Sequence, residues 1–488
     1  MSRHRPARWR ALVAAAALAW AAGVAADPAG AAPSSAAPMA PLTLDAVLAS
    51  SREQFPAVLA ARQKVRAQAG KLLTSEGAFD AYVEQGNKSR LSGYYDGRST
   101  STKVLKPLGP LSADVYGSYR VSGGDFPIYE DEAFTLDAGE FKLGAVFSLL
   151  RDRDIDARRA GLRDSTLGLQ QSELDAMLTR IRVQHDAMQA YVDWVAAGES
   201  VKTYRDLLAL AEARDEGMQT RVAEGDLAAV FLNENRQNIL RRKSFLLEAE
   251  RKLVTATNRL SLYLRDARGA PRLATEQELP GQWPSPPTLV DPTTIDASIR
   301  AALGARPEVG VLAADIERER LNLALGENLL KPRVDVGVEL ARDFGSGQAS
   351  RTGTDTILRL DVTVPIETRT ARGRIDSARA NLDRLALDRQ LLDERIEVEV
   401  RTLANDLAAA YRFVELARQE VEQAGILAQA ERERFREGAS DFFLVNLREE
   451  AAANAQVREI EARQRYLGAL ADFYAATVQR QPLGLGAG

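Results

Sequence analysis

The stretch Phe55-Pro56-Ala57-Val58-Leu59-Ala60-Ala61 has a counterpart 251 positions later, Arg306-Pro307-Glu308-Val309-Gly310-Val311-Leu312. Two more pairs follow in the same order. Ile155-Asp156-Ala157-Arg158-Arg159-Ala160-Gly161-Leu162 is echoed by Ile375-Asp376-Ser377-Ala378-Arg379-Ala380-Asn381-Leu382, and Arg221-Val222-Ala223-Glu224-Gly225 by Arg434-Phe435-Arg436-Glu437-Gly438. Three landmarks in one order mark a tandem structural duplication, which decides the fold.

Between landmarks each half reads as helix, strands, very long helix, turn and long helix. No proline occurs between Pro127 and Pro271 or between Pro365 and Pro482. A proline inside a helix costs about 3 kcal/mol, so its absence permits uninterrupted rods. The spans from Arg153 to Val222 and from Arg369 to Arg436 each predict a helix of about 100 Å at ~1.5 Å per residue. Apolar residues three and four apart between charges, as in Leu387 to Val400, give the pattern of laterally packed, solvated helices.

The strand regions have a different texture. Residues 79–150 hold 11 of the 26 Phe and Tyr residues and alternate, as in Ala113-Asp114-Val115-Tyr116-Gly117-Ser118-Tyr119. Residues 333–365 alternate likewise, in Val334 to Leu340 and Leu358 to Val364. Apolar-out, polar-in alternation over about ten residues is the signature of a transmembrane β-barrel. The two regions supply roughly six strands, too few to close a barrel of useful bore, and a membrane sheet cannot leave an open edge. A homo-oligomer sharing one barrel is therefore expected.

The remaining chain divides simply. Arginines 3, 5, 8 and 10 precede an alanine-rich apolar run, and Val24-Ala25-Ala26 suits cleavage, so residues 1–26 read as a signal peptide. Residues 27–41 read as a flexible arm, 42–267 as the first repeat, 268–292 as a Pro/Gly-rich linker, 293–480 as the second repeat, and 481–488 as a flexible tail. Within 42–267 a first helix is expected from Thr43 to Glu76, strands over 79–150 and a hairpin over 153–267; within 293–480 the hairpin is 369–480. The chain has no cysteine, which excludes thiol chemistry, disulfides and a lipidated cysteine anchor. Loss of the four leader arginines takes the net charge from −4 to about −8, which argues against nucleic acid as a partner.

Enzyme chemistry finds no foothold. Of two histidines, His4 belongs to the leader and His185 stands alone in a long helix, where packing explains it. No nucleophile–base set, metal cluster or phosphate-binding loop appears, so no cofactor, metal or catalytic residue is expected.

With these features the chain resembles the TolC-like outer-membrane efflux proteins. The resemblance spans about Leu42 to Gln479 and rests on the duplicated order, the paired Arg-x-x-x-Gly turns and the closing Tyr466-Leu467-Gly468-Ala469-Leu470-Ala471-Asp472-Phe473-Tyr474. It implies a mainly α fold with a β-barrel portion: helical hairpins forming a trimeric periplasmic α-barrel, and strands in a shared outer-membrane barrel embedded in lipid. It implies a homotrimer serving as exit duct for efflux or secretion. It also implies docking to a periplasmic adaptor protein and an inner-membrane transporter. A periplasmic adaptor with helical hairpins and a trimeric coiled-coil surface protein are the alternatives. Members commonly supply four strands per chain, and residues 79–150 are long enough for an additional hairpin.

Two sets of site residues follow. Gly225 and Gly438 reverse the chain, so Arg221, Glu224 and Gly225 with Arg434, Glu437 and Gly438 are the expected adaptor-docking tips. Asp441, Phe442, Leu444 and Leu447 follow the second tip and are candidates for a periplasmic gate, with Asp441 setting a weak cation preference. Packing between neighbouring helices is an equal reading of the same side chains. Aspartates that ring the pore in many members are replaced here by Leu444 and Leu447, with Asn446 between them and Glu449 and Glu450 beyond.

Overall fold

The computed structural model describes residues 40–289 and 291–486. The expected signal peptide and most of the arm lie outside them. The first repeat runs α1 (Leu44–Gln54), α2 (Pro56–Glu76), β1 (Tyr82–Ser89), β2 (Arg98–Leu108), β3 (Ala113–Gly123), β4 (Glu140–Ser148), α3 (Ala157–Ala223) and α4 (Ala229–Ser261). The second runs α5 (Ile295–Ala305), α6 (Pro307–Asn328), β5 (Arg333–Asp343), β6 (Thr354–Thr363), α7 (Arg369–Arg436) and α8 (Phe442–Ala476). The two rods, α3 and α7, are 67 and 68 residues long, close to the expected spans.

The two opening landmarks prove to be helix breaks. The single helix expected from Thr43 to Glu76 is two helices, capped at its start by Thr43, whose hydroxyl accepts from Ala46 N. A residue before proline is driven out of the helical region, and proline at the first helical position gives up an N–H that had no partner anyway. Phe55 (φ −69°, ψ 127°) and Arg306 (φ −68°, ψ 125°) accordingly share one extended conformation. Each break docks on the far end of its own hairpin. Phe55 stacks on Tyr263 with ring centroids 5.3 Å apart, and the Arg306 guanidinium donates to the Ala476 carbonyl at 2.7 Å.

The six strands form one antiparallel sheet in chain order, β1-β2-β3-β4-β5-β6, so β4 of one repeat pairs with β5 of the other. Four strands come from residues 79–150 and two from residues 333–365. The first core lies where α5 crosses α7 and α8, around Ile299, Ile396, Val400, Leu407, Tyr466 and Phe473. The second lies where α1 meets α3 and the end of α4, around Val47, Leu48, Tyr191, Trp194 and Leu260. At this level α3 is buried nearly all round, because α1, α4 and α8 surround it.

Among its described residues the linker has no α-helix, and it is anchored. Thr275 and Glu278 form a capping box, and Glu278 is buried against Arg272 at 2.8 Å. The tail, expected to be flexible, is packed through Leu485. Leu483 is fully buried and Leu485 nearly so, packed with Val478 against Ile181 of α3, and Arg52 donates to the Gly484 carbonyl at 2.8 Å. Leu483 and Leu485, on either side of Gly484, find apolar cover there.

Candidate functional site: a two-faced sheet and paired helical tips

The strand register sorts every side chain of the sheet onto one of two faces. One face carries Ala113, Val115, Tyr119 and Val121 of β3, Phe141, Leu143, Ala145 and Phe147 of β4, Val334, Val336, Val338 and Leu340 of β5, and Leu358, Leu360 and Val362 of β6. Most of these large side chains are exposed; Leu358 is 74% accessible and Leu360 64%. A contiguous exposed aliphatic surface of this extent has no place on a water-facing sheet. Tyr119 and Phe141, directly paired, lie toward the loop end of the band, away from the helices. On β1 and β2 this face is more polar, with Val83, Gln85, Asn87, Val104, Thr102, Thr100 and Lys106.

The opposite face is charged and cross-linked. Glu339 accepts from Tyr116 at 2.5 Å and from Lys142 at 3.1 Å, and Glu140 accepts from Arg120 at 2.6 Å. Asp335 accepts from Ser148 at 2.9 Å and Arg333 at 2.6 Å. A strand has period two, so alternation in sequence becomes segregation in space. At the sheet's helix end a cavity of about 740 Å³ lies among strand ends, α3 and α6. There Asn328 holds Asp152, at φ 67°, by reciprocal hydrogen bonds of 2.8 and 3.0 Å, which sets the entry into α3.

At the other end of the rods the two predicted turns are the same structure. Gly225 has φ 82° and Gly438 φ 76°, a region that costs other L-residues about 1–2 kcal/mol. Gly225 N bonds to Val222 O and Asp226 N to Arg221 O, at 3.2 and 2.9 Å. Gly438 N bonds to Phe435 O and Ala439 N to Arg434 O, at 3.1 and 2.8 Å. Each is a Schellman motif, which closes the last carbonyls of a helix. The repeated Arg-x-x-Glu-Gly thus supplies the carbonyl acceptor, the cap and the left-handed residue. Arg221, Glu224, Gly225, Arg434, Glu437 and Gly438 are all exposed. Between the tips lies an apolar cleft of about 500 Å³ containing Met218, Leu227, Phe231 and Phe435.

The candidate gate residues separate. Asp441 caps α8, accepting from Leu444 N at 2.8 Å. Phe442 is buried beneath the Arg214 guanidinium, 5.5 Å from its ring centroid, so packing accounts for it. Leu444 is half-buried, whereas Phe443 and Leu447 are exposed. The outward aromatic is therefore Phe443, not Phe442.

Next to them sits a polar cluster that sequence reasoning missed. The Glu449 carboxylate receives Arg214 at 2.6 Å and Arg242 at 3.0 Å, and Asn446 Oδ1 receives the same two arginines at 2.9 and 3.2 Å. Arg242 also donates to Leu207 O at 2.6 Å. The Arg242 and Glu449 side chains are essentially inaccessible, and burial pulls the guanidinium below its usual range while Glu449 opposes the shift. The cluster ties α3 and α4 to α8. The only signal in sequence was the three-residue spacing of Asn446 and Glu449, which share one helix face.

His185 makes a similar tie higher up. Its Nε2 lies 2.6 Å from Asp472 of α8 and its Nδ1 3.0 Å from Asp186, and the Asp472 hydrogen bond raises its pKa against the opposing effect of burial. Among the described residues no metal-binding group of acids and histidines occurs, and no helix is long and apolar enough to cross a membrane.

No family model matches the sequence, and no curated protein matches it. Its fold is shared with solved outer-membrane channels. It resembles the outer-membrane protein VceC of Vibrio cholerae (TM-score 0.60, 13% identity, 89% of this chain and 95% of that one). It also resembles the CmeC outer-membrane channel of Campylobacter jejuni (0.58, 14%, 89% and 85%) and the open state of the MtrE outer-membrane channel of Neisseria gonorrhoeae (0.56, 14%, 89% and 88%). The chain has the fold of the TolC-like outer-membrane channels, and the proteins it resembles in structure are channels, not enzymes.

Proposed function

We propose that this protein is an outer-membrane exit duct for efflux or secretion. It works as a homotrimer whose strands share one barrel and whose helices form a tube through the periplasm. One observation carries the reading: a sheet with an exposed aliphatic face and a charged opposite face, set on helical rods of about 100 Å. Lipid accepts the first face, a water-filled lumen the second, and the rods have the reach to approach an inner-membrane transporter. The exposed tips at Gly225 and Gly438, with the apolar cleft between them, suit docking of a periplasmic adaptor.

Fractionation and native mass measurement of detergent-extracted protein test the first part. Outer-membrane protein of three-chain mass is expected; a stable monomer that forms channels refutes it. Cysteines at Glu224 and Glu437 test the second, because the native chain has none. Cross-links from these sites to a periplasmic partner are expected. Cross-links arising only from mid-helix sites such as His185 refute tip docking.

A further inference from the structure

We infer that β6 of one copy pairs with β1 of the next, so that all six strands of each chain enter the wall and three copies close an eighteen-stranded barrel. The inference rests on the trimeric reading above and goes beyond it by naming the seam. β1 and β6 are the two edges of the sheet, and every residue of both is exposed. A six-stranded sheet closed on itself would have a backbone diameter of only about 12 Å at the ~4.8 Å strand spacing, too narrow for inward Tyr116, Arg120, Lys142 and Arg359.

The stagger of the strand ends carries the argument. At the helix end, Thr363 of β6 lies opposite Arg333 of β5. Ser148 of β4 begins opposite Asp335, two residues further along. Tyr82 of β1 aligns through Leu105, Tyr116 and Gly144 with Glu339, six residues along. Six residues over five strand steps corresponds to a tilt of about 40° from the barrel axis, within the ~35–45° of membrane barrels. A sheet that closes into a barrel requires such a slant.

Matching of faces across the seam allows only even shifts per copy, and a shift of six, which sets the helix-end termini of β6 and the next β1 level, gives a barrel-wide tilt of about 35°. Tyr82 of the next copy then stands opposite Thr363, Val83 opposite Val362, and Gln85 opposite Leu360. On the charged face Glu84 stands opposite Asp361, one diagonal step from Arg359, and Lys88 lies one diagonal step from Asp355. The β1–β2 hairpin fits such a wall. Its charges Glu84, Lys88 and Lys103 lie on the polar face, while the other face holds Val83, Val104 and uncharged Gln85, Asn87, Thr100 and Thr102, with charges only at its two ends, Lys106 at the helix end and Arg98 at the loop end. Eighteen strands give a backbone diameter of about 34 Å, against about 23 Å for twelve at similar tilt.

Cysteine pairs in the full-length, cysteine-free chain test the seam. Val83→Cys with Val362→Cys, and independently Gln85→Cys with Leu360→Cys, are oxidised in outer membranes and run on denaturing gels. A ladder ending at covalent trimer is expected from either pair, and none from the single variants. If Ala113→Cys with Val362→Cys gives the ladder and the first two pairs do not, β6 meets β3, β1 and β2 lie outside the wall, and the proposal is overturned while the trimer stands. If native mass shows no trimer, the functional reading itself fails.

Discussion

Removing the Glu449 carboxylate, as Glu449→Ala, strands two guanidiniums between α3, α4 and α8. The Arg242 side chain is 0% exposed and the Arg214 side chain 15%, so neither turns readily to water. Breaking a buried pair by deleting one member costs about 3–5 kcal/mol, because the remaining charge keeps its desolvation penalty without its partner. In this cluster the two arginines also repel one another. An assembled membrane oligomer does not unfold in two states, so a global midpoint is the wrong observable. Amide hydrogen exchange reads the local opening instead. At about 1.4 kcal/mol per tenfold, amides of α8 near Val445–Ala453 lose about a hundred- to several-thousand-fold protection. Replacing both partners by apolar residues, Arg242→Met with Glu449→Leu, recovers much of that loss, since Arg214 keeps partial access to water. A loss below tenfold in Glu449→Ala, or single-variant costs that simply add in the double variant, would refute the view that these residues act as one unit.

Gly225→Ala and Gly438→Ala each cost about 1 kcal/mol of tip stability through their positive φ, read as local exchange around the turns; an added Cβ meets nothing within 4 Å, so crowding does not contribute. His185 holds its proton more tightly folded than free, so its tie to Asp472 is complete below the unfolded pKa of about 6.5 and fades as pH rises through the folded value. Its NMR titration, with Asp186, Asp472 and Gln189 as the groups around it, should fall to lower pH in Asp472→Asn. Leu483→Ala opens a cavity against α3 at a cost of about 2–5 kcal/mol, seen as faster exchange near Ile181; an unchanged rate would restore the reading of a loose tail. In planar bilayers, Leu444→Ser with Leu447→Ser should raise resting conductance if they narrow the pore by dewetting, whereas Phe442→Ser should loosen packing without opening a path.

The duplication, the rods, the turns and the two-faced strands were legible in the sequence because each follows from properties a residue carries with it. Pro56 and Pro307 lack an N–H wherever they stand, and at Phe55 that local property breaks the helix expected to run from Thr43 to Glu76. Gly225 and Gly438 tolerate positive φ in any surroundings, and alternation in β5 and β6 sorts itself by the period of the strand. What the sequence left open concerns rotation and partnership. A rod of about 100 Å can turn any of several faces to its neighbours, and no local rule chooses among them. Tertiary packing alone turned Phe442 inward and Phe443 outward, joined Glu449 to arginines 207 and 235 positions away, and laid Leu483 against Ile181. Burial couples residues across the chain, and which pairs meet is decided by where whole helices come to rest.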